Sequence, residues 1–385
     1  MTIKDQHPSS THPPLPPTQE DEQFSRLRLL RSRRVGIATY NRLLNEHGTA
    51  QNALAALPDI ARAAGVEKYQ ICPEGVVIAE LKAARAAGAR LLVQGTKAYP
   101  DALNDLSDAP PFLWAIGDIS LLHRPMIALV GARNASSLGT RMAKALAREL
   151  GGAGYVIVSG LARGVDAAAH LAALDTGTVA VQAGGIDVMY PAENTELALK
   201  IAGAGLRLSE QPMGLQPIAR HFPTRNRIIS GLTRATVVVE AAAKSGSLIT
   251  ARDALDQGRE VLAVPGHPFD ARAAGCNMLI RDGAGLVRNA GDIIEMLTPP
   301  ADTPNPPRNS EQRTSRTALT PKRTLRETAA LHMKILSRLG PSPVAEDQLI
   351  RDLQITPADA APALVDLELD GQIVRSAGSL LARSG

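Results

Sequence analysis

The chain has 385 residues, 44% of them hydrophobic, which is enough for two or three domains with buried cores. Its 42 Lys and Arg against 38 Asp and Glu give a net charge of +4, so a polyanionic partner requires positive charge concentrated in one place. Cys72 and Cys276 stand far apart without Cys or His at metal-ligand spacing, which argues against a metal site or a disulfide framework. No apolar run approaches a membrane span and no signal peptide is visible, so we expect a cytoplasmic protein with no membrane partner.

Four regions outside the central part of the chain are set apart by their composition. Residues 1–20 are rich in proline and predict a disordered tail, and residues 299–326 have the Pro, Thr, Ser and Arg content of a disordered basic linker. Residues 21–80 carry leucines at helical spacing, which predicts a module of short helices. Residues 327–385 show three helical patterns followed by two short strands, the order of a winged-helix domain.

Residues 81–298 alternate apolar runs with helical patterns, which predicts an α/β domain. A connecting segment at 110–125 holds the sole tryptophan, Trp114. Several strands are nearly continuous in Val, Ile and Ala, as expected when helices cover both faces of a doubly wound, mostly parallel sheet. The predicted strands are 127–130, 155–158, 179–182, 206–209, 236–240, 260–264 and 285–287.

The first strand-to-helix turn, GARNAS at 131–136, has the residues of an anion-binding site. A glycine and small residues let backbone N–H groups face a phosphate, and Arg133 adds a cation beside them. The turn lacks the G-x-G-x-x-G spacing of dinucleotide-binding turns, so no NAD or other cofactor is expected.

The second turn, SGLARGVD at 159–166, repeats this pattern. Ser159 and Gly160 permit close approach of the backbone to an anion, and Asp166 is suited to capping the helix that follows. His170 lies inside that helix. It fits a buried packing residue better than a catalytic base, because no serine and carboxylate are arranged around it in the sequence.

The third turn, KSGSLIT at 244–250, places Lys244, small residues and hydroxyls at the start of a helix. This is the chemistry of a phosphate cradle without the Walker A spacing, so it predicts anion binding without nucleotide hydrolysis. Ser247 fits a helix N-cap and a ligand contact equally well.

A basic segment precedes the third turn, because no acid occurs between Gln211 and Val239. Such a segment fits a chain of phosphates better than a solvated basic face. Phe222 within it fits base stacking and core packing equally well. Ligands of open α/β sheets collect at the carboxyl ends of strands, so we expect the turns and this segment to converge on one groove. The arginines of the segment are Arg220, Arg225, Arg227 and Arg234.

Taken in order, these motifs resemble the DNA-processing protein A (Smf) family over roughly residues 110–297. The combined set is far more specific than any one motif. The helical module, with VGIATYNR at 35–42, is similar to that family's SAM-like or helix-hairpin-helix domain, and the C-terminal region to its winged helix. The motifs are GARNAS at 131–136, SGLARGVD at 159–166 with His170, GGIDVMYP at 184–191, SEQP at 209–212, FPTRNRIISG at 222–231, KSGSLIT at 244–250 and PGHP at 265–268.

The resemblance implies an extended Rossmann-like fold, homodimerisation, binding and protection of single-stranded DNA in natural transformation, and delivery of that DNA to the RecA recombinase. The family is not known as an enzyme, and no nucleophile–base pair is visible. The alternative hypothesis is an enzyme, a nucleoside-monophosphate phosphoribohydrolase resembling the lysine-decarboxylase-like family, with Glu240 as the acidic residue required for activity. That family's Pro-Gly-Gly-x-Gly-Thr loop is missing from this sequence. By motif position, the DNA contacts fall on Arg133, Ser159, Gly160, Arg225, Asn226 and Lys244, with Ser247 beside them.

The accessory regions differ in charge. The winged-helix region has eight acids against five Lys and Arg, and its candidate recognition helix at 357–370 has four acids and no base. Phosphate repulsion opposes its insertion into a groove, so we predict a protein partner for it. The basic linker fits a solubilising spacer better than an added DNA contact. The helical module's arginines fit phosphate contacts and a structural role equally well; they are Arg26, Arg28, Arg31, Arg33 and Arg34.

Overall fold

A computed structural model describes residues 19–298, 325–340, 343–353, 355–376 and 380–383. The chain divides into two compact units, Met1–Ala301 and Asp302–Gly385, here called the body and the C-terminal unit. The predicted tail at 1–20 and linker at 299–326 lie almost wholly outside the described residues. Within the described ranges, no helix is both long enough and apolar enough to cross a membrane.

The body begins with four helices and then alternates strands with helices. Its helices are α1 (Gln19–Arg31), α2 (Ile37–His47), α3 (Ala50–Ala63), α4 (Glu74–Ala86), α5 (Ser137–Gly152), α6 (Val165–Ala172), α7 (Thr195–Ala204), α8 (His221–Gly231), α9 (Ser247–Asp256), α10 (Ala274–Arg281) and α11 (Ala290–Leu297). Its strands are β1 (Arg90–Val93), β2 (Phe112–Gly117), β3 (Met126–Val130), β4 (Val156–Ser159), β5 (Thr178–Val181), β6 (Leu206–Ser209), β7 (Ala235–Val238), β8 (Glu260–Ala263) and β9 (Gly285–Leu286).

The nine strands form one sheet in the order β1-β2-β6-β5-β4-β3-β7-β8-β9. The seven from β3 onward are parallel and match the predicted strands to within one or two residues at each end, which confirms the doubly wound fold. The segment at 110–125, which was predicted to be a connection, contains a strand of the sheet, so that prediction was wrong. Its residues Phe112–Gly117 form β2, which pairs antiparallel with both β1 and β6.

Alternate residues of the central strands face opposite layers of helices. On β3, Ile127 and Leu129 pack with α5, α6 and α11, whereas Ala128 and Val130 pack with α8, α9 and α10. Because both faces of the strand are covered, every β3 residue is buried, as its continuous apolar sequence predicts.

The four N-terminal helices cover one face of the antiparallel edge of the sheet. Phe112 and Trp114 on β2 belong to the same apolar cluster as the leucines of α1 to α3. Arg31 donates two hydrogen bonds to Glu80, at 2.9 and 2.7 Å, and the Trp114 indole N–H donates to the same carboxylate at 3.0 Å. The helix α4 runs across residue 80, the predicted boundary between the helical module and the α/β domain.

The C-terminal unit has the predicted winged-helix order. Its helices are α12 (Leu325–Arg338), α13 (Glu346–Leu353) and α14 (Pro357–Leu369), and its strands are β10 (Val344–Ala345), β11 (Ile373–Ser376) and β12 (Leu380–Arg383). The strands form a sheet in the order β10-β12-β11 around an apolar core from all three helices.

Candidate functional site

The strand order reverses between β3 and β7, and a cavity of about 580 Å³ opens there at the carboxyl ends of the strands. We call this cavity the crevice. Such a reversal leaves a gap between the helices that cross over on opposite faces, and it is where open α/β sheets bind their ligands. The crevice brings together five of the seven predicted site residues, which are Arg133, Arg225, Asn226, Lys244 and Ser247.

The turn between β3 and α5 is held by a helix cap. Ser136 is the N-cap of α5 and accepts a hydrogen bond from the Gly139 N–H at 2.9 Å. The Glu240 carboxylate accepts from the Ser136 N–H at 2.9 Å and from the Ser136 hydroxyl. Glu240 thus ties the end of β7 to the start of α5, and it does not line the crevice. Arg133, one turn earlier, is exposed and lies over the Phe222 ring at 4.9 Å.

The turn between β4 and α6 contributes its glycine and its acid to the site, and not its serine. The Ser159 hydroxyl is fully buried and donates to the Leu129 carbonyl at 2.7 Å, so the side chain braces β3 against β4. The Asp166 carboxylate accepts from the Gly160 N–H at 3.1 Å and the Ala162 N–H at 3.3 Å. Asp166 therefore closes the turn that precedes α6, and the prediction that it caps the helix is wrong because the N-cap is Gly164.

Two features of α6 follow from its packing. Its N-cap is Gly164, at a φ of +75°, and a Cβ there would lie 2.2 Å from the Ala132 carbonyl oxygen, so only glycine fits. His170 is fully buried and its Nδ1 is bonded to the Thr178 hydroxyl at 2.7 Å, which confirms its packing role. Burial, with Arg225 adding to the effect, lowers the pKa of His170 to about 3, so the imidazole is neutral at physiological pH.

Arg225 on α8 is only 5% exposed, and its Nε is buried without a hydrogen-bond partner. The guanidinium packs against Gly160 so closely that a Cβ on Gly160 would lie 1.4 Å from Nη1. Burial lowers the pKa of Arg225 to about 10, opposed by Asp166 and reinforced by Arg133, so the side chain remains charged at neutral pH. Burying a charge costs free energy unless it is matched, so a cation held this way at a cavity wall is prepared for an anion.

The other arginines of the basic segment do not join Arg225, and in this respect the sequence interpretation was wrong. Arg227 is buried and pairs with Asp108 at 2.9 Å and with Glu210 at 2.7 Å. Arg220 and Arg234 are exposed and do not line the crevice. The segment lacks acids in sequence, but the fold supplies them from other parts of the chain.

The turn between β7 and α9 forms the opposite wall. Lys244 is exposed and lines the crevice. Gly246 is the N-cap of α9, so Ser247 is not, and the Ser247 hydroxyl is bonded to that of Ser245 at 2.8 Å. The wall therefore offers a lysine and a pair of hydroxyls at a helix start, where backbone N–H groups lack helical partners.

A neighbouring recess of about 350 Å³, here called the side recess, shares part of its lining with the crevice. The rings of Phe222 and Tyr190 lie 5.7 Å apart, and Arg133, Phe222 and Arg225 line both cavities. Gly160 lines the side recess. Tyr190 was not singled out from the sequence, where it appears only inside the loop at 184–191. Phe222 is half-buried, and its ring contacts both Arg133 and Tyr190.

Three of the five arginines predicted in the helical module form ion pairs with acidic side chains. Arg26 pairs with Glu22 and Arg28 with Glu74, alongside the pair of Arg31 with Glu80. These contacts favour the structural role over phosphate contact for the three arginines. Among the described residues, no group of three or more His, Cys, Asp or Glu side chains could hold a metal ion.

Fold and site together define a Rossmann-like protein with a cation-lined crevice at its topological switch point. The chain belongs to the DNA recombination-mediator protein A family, whose model matches residues 90–298. A DprA-like N-terminal HHH domain model matches residues 20–83, and a DprA winged helix domain model matches residues 319–379.

Relatives and solved structures agree with this assignment. The chain is 44% identical to the DNA processing protein DprA of Bacillus subtilis over 56% of this chain and 74% of that one. It is 41% identical to the protein Smf of Escherichia coli over 54% of this chain and 56% of that one. The DprA structure from Streptococcus pneumoniae matches with a TM-score of 0.60 at 34% identity, covering 71% of this chain and 97% of that chain. A structure of the Helicobacter pylori protein, described for its unique single-stranded DNA binding mode, matches with a TM-score of 0.51 at 33% identity, covering 54% and 95%.

Proposed function

We propose that the protein binds single-stranded DNA in the crevice and acts in DNA processing during transformation. The observation that carries the proposal is the buried Arg225 guanidinium at the switch point, whose Nε has no hydrogen-bond partner and which is flanked by Arg133 and Lys244. Three cations around one cavity suit consecutive phosphates, because each contact releases a condensed counterion from the strand. Asn226, which is half-buried in the same wall, adds a neutral hydrogen-bonding group.

A single strand fits the site better than a duplex. The crevice and the side recess have the volume of drug-sized ligands, so each holds only one or two nucleotide units. Phe222 lines both cavities and the exposed Tyr190 lines the side recess, so their rings are placed to stack on an unpaired base. A base inside a duplex is already stacked and cannot enter such a recess. The Helicobacter pylori relative, whose described subject is single-stranded DNA binding, supports the same choice.

A gel-shift series with single-stranded and double-stranded oligonucleotides across a salt range tests the proposal. We expect a clear preference for the single strand and a linear fall of log affinity with log salt concentration. A preference for duplex, or an affinity that does not depend on salt, contradicts it.

The absence of catalysis is part of the same proposal. Glu240, the acid on which the phosphoribohydrolase rival depends, is occupied by two hydrogen bonds to Ser136 and stands outside the crevice. Incubation with AMP separates the two hypotheses. We expect no release of adenine, and release that disappears in Glu240→Gln would establish the enzyme instead.

The proposed partners of the protein are those expected for its family. We infer that the protein forms a homodimer, protects incoming single strands and passes them to the RecA recombinase. The test is assembly of RecA filaments on single strands coated with a single-strand binding protein. The chain should accelerate that assembly, and an Arg133→Ala, Lys244→Ala double variant should not. Equal acceleration by both proteins would separate recombinase loading from the crevice.

The C-terminal unit is better suited to a protein partner than to DNA. On α14, Asp366 and Glu368 are exposed along with Val365, and the helix contains no basic residue. An acidic, partly apolar helix surface repels phosphates and is complementary to a basic protein surface. Removing residues 302–385 should therefore change single-strand affinity by less than about twofold, within the scatter of surface effects. A large loss of affinity would assign DNA contacts to this unit.

A further inference from the structure

The crevice buries a carboxylate among its cations. Asp166 is 6% exposed and lines the same cavity as Arg225. Charged groups reach this cavity from three other elements: Arg225 from α8, Arg133 from the β3–α5 turn and Lys244 from the β7–α9 turn. On the helix of Asp166 itself, the other titratable side chain is the buried and neutral His170.

We propose that Asp166 is a positioning residue that takes up a proton from solvent when a phosphate binds at Arg225. This inference rests on the proposed function, because the phosphate is that of a bound single strand. Asp166 acts through other groups: it holds the Gly160 and Ala162 N–H groups, and Gly160 is the surface on which the Arg225 guanidinium lies.

The physical reason is competition for one buried cation. Before DNA binds, Asp166 is the carboxylate whose charge Arg225 balances, and each group stabilises the charged form of the other. A phosphate that reaches Arg225 brings a second negative charge into the same poorly solvated space. Two like charges there cannot both be stabilised by one guanidinium, so the group that can be protonated becomes neutral.

Asp166 can accept this proton without disturbing the turn. A phosphodiester does not titrate near neutral pH. Burial already raises the pKa of Asp166 above its ordinary value, with Arg225 opposing the rise. Oδ2 receives the two N–H groups, so a proton on Oδ1 leaves both hydrogen bonds in place.

The sign of the pH dependence follows from this exchange. Bound phosphate raises the pKa of Asp166 above its value in the free protein, so binding is favoured as pH falls between those two values. Over that interval the affinity rises by at most about tenfold per pH unit, and outside it the affinity is level. His221, at the start of α8, is the other group to control for, because burial lowers its pKa and its protonation would also favour DNA.

The experiment measures the affinity of the full chain for an oligo-deoxythymidine from about pH 5.5 to 8.5 at constant ionic strength. Calorimetry in buffers of different ionisation enthalpy counts the protons taken up. The wild-type protein should bind more tightly as pH falls and take up as much as one proton per crevice. Asp166→Asn keeps an oxygen for the two N–H groups and should lose both the slope and the proton uptake. His221→Gln should keep the slope.

Two results would overturn the inference: wild-type binding that is independent of pH with no proton uptake, or an Asp166→Asn variant with the wild-type slope. A purely structural Asp166 predicts the second result, or a weaker affinity at every pH with an unchanged slope. If circular dichroism shows that Asp166→Asn does not fold, proton uptake by the unmodified protein decides the question. Failure of the wild-type chain to bind single strands at any pH would instead sink the proposed function, and this inference with it.

Discussion

Arg225 and Arg227 lie two positions apart on α8 and are both more than nine-tenths buried, yet their surroundings differ. Arg227 forms ion pairs with Asp108 and Glu210, whereas the acid next to Arg225, Asp166, accepts hydrogen bonds from two backbone N–H groups. Each guanidinium keeps one buried nitrogen without a hydrogen-bond partner, so the difference between them lies in their acids. An arginine that is already paired with two carboxylates gains little from a phosphate, whereas a buried arginine with a single neighbouring carboxylate gains more. The sequence shows two equivalent arginines, and the fold distinguishes them.

The exposed cations of the crevice are expected to act additively on affinity. Arg133→Ala and Lys244→Ala should each weaken single-strand binding by about tenfold and reduce the slope of log affinity against log salt by about 0.7. All sequences should be affected alike, because phosphates carry no base identity. Lys200→Ala, which removes an exposed lysine that is already paired with Glu196, is the matched control. Equal effects of Lys200→Ala and Lys244→Ala would mean that only net charge matters.

Gly160 should be required because a larger residue has no space beside Arg225, and not because of its backbone conformation. A methyl group there would overlap the Arg225 guanidinium, so Gly160→Ala should displace that side chain, weaken DNA binding by about tenfold and cost about 1 to 3 kcal/mol of stability by overpacking. Gly152→Ala is the control, because a Cβ at Gly152, the last residue of α5, meets nothing within 4 Å. Titration with labelled oligonucleotide and urea denaturation measure the two effects, and wild-type affinity in Gly160→Ala would contradict the close packing.

The turns after β3 and β7 are joined through one residue, Glu240, whose carboxylate bonds to Ser136 and whose backbone carbonyl accepts from the Ala132 N–H at 2.7 Å. Glu240 follows β7 in sequence, and its carboxylate accepts hydrogen bonds from Ser136, the N-cap residue of α5, which follows β3. The two strands that flank the switch point are therefore fixed to each other at their carboxyl ends, where the crevice opens. This contact holds Arg133 and Lys244 on facing walls.

The cap of α5 should carry measurable stability. Ser136→Ala removes the hydroxyl that receives the Gly139 N–H and donates to Glu240, so unfolding should become easier by about 1 to 2 kcal/mol. Ser137→Ala, at the exposed neighbouring residue, should change the free energy of unfolding by less than about 0.5 kcal/mol. Urea denaturation of both variants checks the difference, and a difference near zero would show that water replaces the cap.

The sequence predicts those elements whose patterns are local. The seven parallel strands are continuous apolar runs between helical patterns, and they were located to within one or two residues at each end. The strands β1 and β2 were missed because they are an antiparallel edge whose partner, β6, lies some ninety residues along the chain from β2. The turn residues that line the crevice could likewise be named from motifs, since each follows a strand. The pairing of Arg227, the burial of Ser159 and the position of Tyr190 could not, because each depends on contacts between distant segments.

One buried carboxylate connects the helical module to the sheet by hydrogen bonds. Glu80 on α4 receives Arg31 from α1 and the indole of Trp114 from β2, so three elements meet at one group. Its side chain is 6% exposed and that of Arg31 is 11% exposed. In such surroundings, loss of the Glu80 carboxylate leaves the buried Arg31 guanidinium and the buried Trp114 indole N–H without a hydrogen-bond partner.

Glu80→Ala should therefore cost about 3 to 5 kcal/mol of stability, the penalty for leaving a buried charge unpaired. Glu74→Ala is the matched control on the same helix. Glu74 pairs with Arg28 at a similar distance of 2.8 Å but is 62% exposed, so its loss should cost less than about 1 kcal/mol. Urea unfolding followed by the fluorescence of the sole tryptophan, Trp114, reports directly on this contact. Similar midpoints for the two variants would mean that the module is held by its apolar contacts alone. Because the crevice lies at the carboxyl ends of β3 and β7, Glu80→Ala protein that remains folded should bind single strands as the wild type does.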